Sequence, residues 1–108
     1  MNPICVVYCT CPDATVAESL ARGLIGERLA ACVNILPQIR SIYRWQGEVQ
    51  DDSECLMMIK TTQDATEALQ RWLIEQHPYD EPEVIAVPVS EGSPGYLAWV
   101  AEETQKTE

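Results

Sequence analysis

Basic residues are scarce: 7 Lys and Arg stand against 17 Asp and Glu in 108 residues, a formal net charge of −10. A field of that sign repels phosphate backbones and anionic lipid faces, so neither nucleic acid nor a membrane surface is an expected partner. Histidine is scarcer still, with one copy, His77. One imidazole cannot build a multi-histidine metal site within a chain, and no G-x-S-x-G turn accompanies it, so a Ser-His-Asp hydrolase is not expected. No apolar run nears the roughly 20 residues that span a bilayer. No Lys or Arg precedes Arg22, so the charged start of a secretory signal is missing and the expectation is a soluble, cytoplasmic protein. The five cysteines are an odd set without a C-x-x-C pair; in a reducing compartment they read as buried small hydrophobes with no structural disulfide.

What is present suffices for one domain over residues 1–108, with 46 % hydrophobic residues. Ile4 to Cys9 is a β-branched apolar run, and Thr10-Cys11-Pro12-Asp13 then opens a helix predicted over Ala14 to Leu29. Gly23 and Gly26 inside it predict close packing against the sheet. Cys32 to Leu36 reads as a strand broken at Pro37. Alternation resumes with Ile39, Ser41, Tyr43 and Trp45 on one face. Gln50-Asp51-Asp52-Ser53 supplies turn residues, and Cys55 to Ile59 is apolar on both faces, so 39–60 is a predicted hairpin. Thr61-x-x-Asp64 starts a second helix, which Pro78 ends by biasing His77 out of helical geometry. Glu83 to Val89 is a fourth strand, and Pro88 places its end at an edge or bulge. Ser93-Pro94 caps a short helix to Glu103 that packs through Tyr96, Leu97, Trp99 and Val100, and the polar tail from Thr104 is expected to fray.

The order β-α-β-β-α-β plus a C-terminal helix predicts an α+β, ferredoxin-like split βαβ sandwich with helices on one face. The other face keeps apolar positions, and identical copies are the economical cover.

Four groups of residues could carry chemistry. Cys9 and Cys11 are soft donors suited to copper(I) or zinc, although two thiols alone do not complete a tetrahedral site. Cys9 is expected packed, and Cys11 partly exposed in the following loop. His77 reads equally as a C-terminal helix cap and as a ligand. Asp51, Asp52 and Glu54 form one acidic cluster at the expected hairpin tip, and Asp80, Glu81 and Glu83 another; neither has EF-hand spacing. Tyr43, Trp45, Lys60, Tyr79, Glu83 and Trp99 could line a pocket between subunits, or serve as core and interface anchors. An enzyme using Lys60 and Glu83 as acid and base rests on residue type alone, so no enzyme is expected.

Ala30-Ala31-Cys32-Val33-Asn34-Ile35, Tyr43-x-Trp45-x-Gly47, Lys60-Thr61, His77-Pro78-Tyr79-x-x-Pro82-Glu83 and Tyr96-Leu97-x-Trp99 closely resemble the CutA family, the divalent-cation tolerance proteins. The resemblance covers essentially the whole chain. It implies a ferredoxin-like fold, a homotrimer built by sheet packing and intersubunit strand pairing, and a link to copper or other divalent cations, without a known catalytic reaction. It also implies metal ligands: a cysteine ending the first strand and two adjacent histidines, which carry over to Cys9, Gln76 and His77. Gln76 cannot replace imidazole for a soft metal, so one ligand is lost and weaker binding is expected. A second helix running antiparallel to the strands would put Cys9 and His77 at opposite ends of the sheet, roughly 20 Å apart, so a shared ion would need ligands from different subunits. The alternative function is a non-enzymatic small-molecule sensor or adaptor with an intersubunit pocket, similar in fold to trimeric nitrogen-regulatory signal proteins.

Overall fold

A computed structural model describes residues 3–104. Its elements are β1 (Ile4–Cys11), α1 (Ala14–Gly26), β2 (Cys32–Trp45), β3 (Glu48–Thr62), α2 (Thr66–Gln76, after a single 3-10 turn at Gln63–Ala65), β4 (Ile85–Pro88) and α3 (Pro94–Glu103). The sheet order is β2-β3-β1-β4 with every neighbouring pair antiparallel. This mixed α+β layout interleaves two βαβ units, as the sequence predicts. β4 is an edge strand, where Pro88 removes no interior ladder bond.

Strict alternation along β1 places Cys5, Val7, Cys9 and Cys11 on one face, all buried. Ala17, Leu20, Ala21 and Leu24 of α1 and Leu69 and Leu73 of α2 close over that face with Met57 and Ile59 of β3. Asp13 is the N-cap of α1; its carboxylate accepts from the Val16 N–H at 2.9 Å. The cap is therefore Asp13 itself rather than Thr10, because β1 continues to Cys11. α1 stops at Gly26 rather than Leu29, and Arg28 turns the chain with φ 57°. A Cβ on Gly23 would lie 2.4 Å from the Trp72 ring, so Gly23 admits α2 where the sequence suggested the sheet; Gly26 faces open space.

β2 is continuous through Pro37. The register steps from Leu36↔Leu56 to Ile39↔Glu54, one extra residue on β2, and Gln38 takes φ 58°. That bulge shifts the pleat by one, so Ile39, Ser41, Tyr43 and Trp45 share the side of Glu54. The hairpin turns at Gln46-Gly47, with φ 51° and 83°, a two-residue turn with both residues left-handed. The turn is not at 50–53: Asp51 and Asp52 are strand residues tied across the hairpin. Asp51 accepts both Arg40 donors at 2.8 and 3.0 Å, and Asp52 accepts from the Tyr43 hydroxyl at 2.5 Å.

α3 does not join the α1–α2 core. It packs on β1 and β3, and its only buried residue is Val100. On the opposite face Ile4 and Thr62, paired in register, are buried, and Tyr96 lies against Cys32 there. The second face is thus part-covered by α3 rather than free of helix. Tyr96 and Trp99 remain exposed, stacked at 5.6 Å. Thr104 is buried, and the rest of the expected fraying tail, 105–108, lies outside the described residues. The second helix begins at Thr66, later than Thr61 implied, since Thr61 stays in β3 and donates to the Leu29 carbonyl.

Candidate metal centre

Cys9, Cys11 and His77 of one chain come together: their donor atoms lie within 4.8 Å of one another, and all three residues are buried. Two local facts bring the sulfurs together. Strand geometry persists past Thr10, so residues i and i+2 face the same way, and the register pairs Cys9 with Met57 and Cys11 with Cys55. Cys11 is therefore fully buried where partial exposure was expected.

His77 arrives by topology. α2 runs antiparallel to β3, but β3 is itself antiparallel to β1, so α2 runs with β1 and ends beside Cys11. The expectation of a 20 Å separation took all strands as pointing one way, and its requirement for ligands from different subunits falls with it. At the helix end His77 takes extended geometry (φ −78°, ψ 142°), as a residue before proline does, while its N–H still donates to the Leu73 carbonyl at 2.9 Å. Gln76 is exposed and outside the cluster. The donor that complements His77 is Cys11, which sequence reasoning left in a loop; the period-two spacing from Val7 was the signal for it.

Both ring nitrogens of His77 are engaged. Nδ1 accepts from the Tyr79 N–H at 3.1 Å, which leaves the proton on Nε2, and Nε2 donates to the Thr10 carbonyl at 2.9 Å. The imidazole thus bolts the end of α2 to the end of β1. It fulfils the capping role, and a metal bond at Nε2 would require it to release Thr10 and move the ring proton to Nδ1, against the Tyr79 N–H. The two thiols act as a pair. The hydrogen bond to Cys11, followed by burial, pushes the Cys9 thiol far up, and the same bond holds Cys11 below the usual thiol range. The two thiols titrate as a coupled pair, and binding a metal through both requires both protons to leave.

The donor chemistry fits a soft or borderline ion. Metal–sulfur and metal–nitrogen bonds of roughly 2.3 and 2.0 Å put tetrahedral donors about 3.5–3.8 Å apart. The 4.8 Å limit on the donor separations lies close to that spacing.

Tyr79 continues from this centre around the end of the sheet. Its hydroxyl donates to Glu54 Oε2 at 2.7 Å and its ring meets His77 at a centroid distance of 4.8 Å. There it enters a cavity of about 590 Å³ lined by Thr10, Ser41, Ile42, Tyr43, Trp45, Glu54, Tyr79, Asp80, Glu81 and Glu83. Of the six residues considered for a pocket, Tyr43, Trp45, Tyr79 and Glu83 meet here. Lys60 does not: it donates to Asn34 on the strand pair β2–β3. Trp99 stacks on Tyr96 elsewhere. Glu54 and Thr10 were not foreseen as lining.

Burial and then the hydrogen bond to Glu54 push the Tyr79 phenol above its ordinary value. A raised folded pKa means that this bond stabilises the fold fully below the unfolded tyrosine pKa of about 10 and is lost as pH climbs through the folded value. In an alkaline titration followed by phenolate absorbance, Tyr79→Phe is expected to remove the last-titrating component; loss of an early component instead would refute the assignment.

A family model described as CutA1 divalent ion tolerance protein matches residues 5–103. The divalent-cation tolerance protein CutA of Thermus thermophilus is 50 % identical over 99 residues, covering 92 % of this chain and 96 % of that protein. The Protein CutA homolog of Xenopus laevis is 50 % identical over 95 residues, covering 88 % of this chain and 63 % of the relative. The chain likewise spans only 58 % of the length of the mouse relative. In structure, CutA1 from Oryza sativa superimposes with a TM-score of 0.95 at 44 % identity, covering 98 % of this chain and 97 % of that one.

Proposed function

Since the chain belongs to the CutA1 divalent ion tolerance protein family, we propose that it serves cation tolerance by binding a metal ion at Cys9 and Cys11, with His77 as a third donor. Copper as Cu(I), or zinc, suits this set: thiolate ligands favour both, and three protein donors leave zinc a fourth position. The supporting observation is the convergence of the three buried donors within 4.8 Å in one chain. The action is binding rather than catalysis. His77 must exchange two hydrogen bonds within the chain for a metal bond, which makes it the weakest of the three donors.

Three copies associate in this proposal, and the protein works in the cytoplasm without nucleic acid or membrane. Exposed Val49, Ile85 and Val87 on the hairpin and on edge strand β4 support association, since such surfaces are covered in stable assemblies. Among the described residues no helix is long and apolar enough to cross a membrane.

The test is an anaerobic titration of the reduced chain with Cu(I) and with Zn²⁺. One ion per chain is expected, with thiolate-to-copper absorption in the ultraviolet and affinity rising with pH, because Cys9 must release its proton. Binding without that absorption, and unchanged in a Cys9→Ser, Cys11→Ser double variant, would place the ion on the acidic surface and defeat the proposal. A second reading, a small-molecule sensor or adaptor, is favoured by one observation, the 590 Å³ cavity on the far side of Tyr79.

A further inference from the structure

The cavity has a chemistry of its own. Its lining carries four carboxylates, Glu54, Asp80, Glu81 and Glu83, and no basic side chain. Glu54 is 9 % exposed, the most buried of the four. One of its oxygens accepts from Tyr79, and among the described residues the other has no partner. An accessible carboxylate oxygen beside a bonded one is a ready acceptor for an N–H entering the cavity. The same cavity is lined by the aromatic side chains of Tyr43 and Trp45, turned to the Glu54 side by the Pro37–Gln38 bulge. Tyr43 is held by its bond to Asp52, just outside the cavity.

We propose that this cavity binds an aliphatic polyamine, a linear chain carrying two or more ammonium groups. The proposal deepens the small-molecule reading of the site and is independent of the metal centre. Ammonium heads supply the N–H donors that Glu54 and the outer carboxylates accept, and methylenes lie along the Trp45 and Tyr43 rings, where cation–π attraction adds to contact. A quaternary ammonium has no N–H for Glu54. A bare divalent ion needs about six to eight oxygens and leaves the aromatic wall without a function. An anion is repelled by the lining and by the net charge of −10, which concentrates polycations around the protein.

Calorimetric titration with spermidine, putrescine, choline and Mg²⁺ tests this directly. Spermidine is expected to bind one site per chain more tightly than putrescine, with choline and Mg²⁺ at least tenfold weaker. Glu54→Gln, which keeps an acceptor for Tyr79, is expected to weaken spermidine tenfold or more, and Trp45→Ala, on the exposed hairpin, about fivefold or more. Glu18→Gln, a surface change on α1, controls for general attraction and is expected to leave binding unchanged. Equal loss in Glu18→Gln, or choline or Mg²⁺ binding as tightly as spermidine, would overturn the proposal. A thermal-shift panel of neutral and anionic metabolites separates the levels. A shift abolished by Trp45→Ala with spermidine silent sinks the polyamine and leaves a small-molecule site; silence of the whole panel sinks both.

Discussion

Cys11→Ser is expected to lower Cu(I) affinity by at least on the order of 100-fold, about 2.7 kcal/mol, and Cys9→Ser by a similar factor. A hydroxyl in place of a thiolate swaps a soft, ionisable donor for a hard, neutral one inside an apolar core. His77→Ala is expected to behave differently. Its nitrogens already serve Tyr79 and Thr10, so its gain on metal binding is offset by two broken hydrogen bonds, and the loss in affinity should stay within about tenfold. The same variant should lose about 1–3 kcal/mol of stability without any metal, because the Tyr79 N–H is left without a partner and the Thr10 carbonyl keeps only the weak Cys9 thiol donor. Competition against a chromophoric Cu(I) chelator measures the first effect and urea unfolding of the metal-free chain the second. An affinity loss for His77→Ala equal to that of the cysteines, with stability untouched, would reverse the assignment and make His77 a primary ligand.

The second large effect is expected at Leu73. This side chain is fully buried between α2 and the sheet, and its carbonyl accepts from the His77 N–H. Leu73→Ala removes three carbons from a close-packed interior and should cost about 2–5 kcal/mol, the spread reflecting how far the helix can settle into the gap. For a domain of this size that corresponds to a fall in Tm of roughly 10 °C or more. Urea unfolding should show a lower midpoint at unchanged m. If the copies associate, the comparison must be made at fixed protein concentration, since assembly contributes to apparent stability. A midpoint within experimental scatter of the parent would mean that α2 is held by the sheet connection rather than by packing. The metal centre feels the same change. With Leu73 truncated, the turn that presents His77 to Thr10 loses its anchor, and the metal-free His77 bolt should loosen with it.

Much of the fold was legible because its signals were local. The apolar alternation of Ile4 to Cys9, the proline at 88 and the Pro78 that turns His77 out of α2 each dictate backbone geometry within a few residues. The errors arose where geometry depended on a partner strand. Gln46-Gly47 carries the turn through two left-handed residues, a conformation glutamine seldom advertises, while the Asp-rich stretch that looked like the turn is held in β3 by Arg40 and Tyr43. Gly23 was correctly read as a point of close approach, but its neighbour, Trp72, lies on the other helix and far away in sequence. In the candidate site Cys9 and His77 were identified by residue type and resemblance. Their meeting within one chain was missed, because the direction of α2 relative to β1 follows from two successive reversals and no single segment encodes it. Cys11 was undervalued for the opposite reason: proline at 12 suggested a loop one residue too early. Lys60 was drawn into the pocket by its charge, yet its cross-strand partner Cys32 and its acceptor Asn34 fix it elsewhere.

Tyr79, like Thr10, serves both neighbourhoods, its backbone amide on the imidazole and its phenol on the buried glutamate. An occupant of one site that moves Tyr79 is expected to alter affinity at the other. Thermodynamic reciprocity then fixes the sizes: whatever factor an occupant of one site imposes on affinity at its neighbour, the neighbour's occupant returns in equal measure.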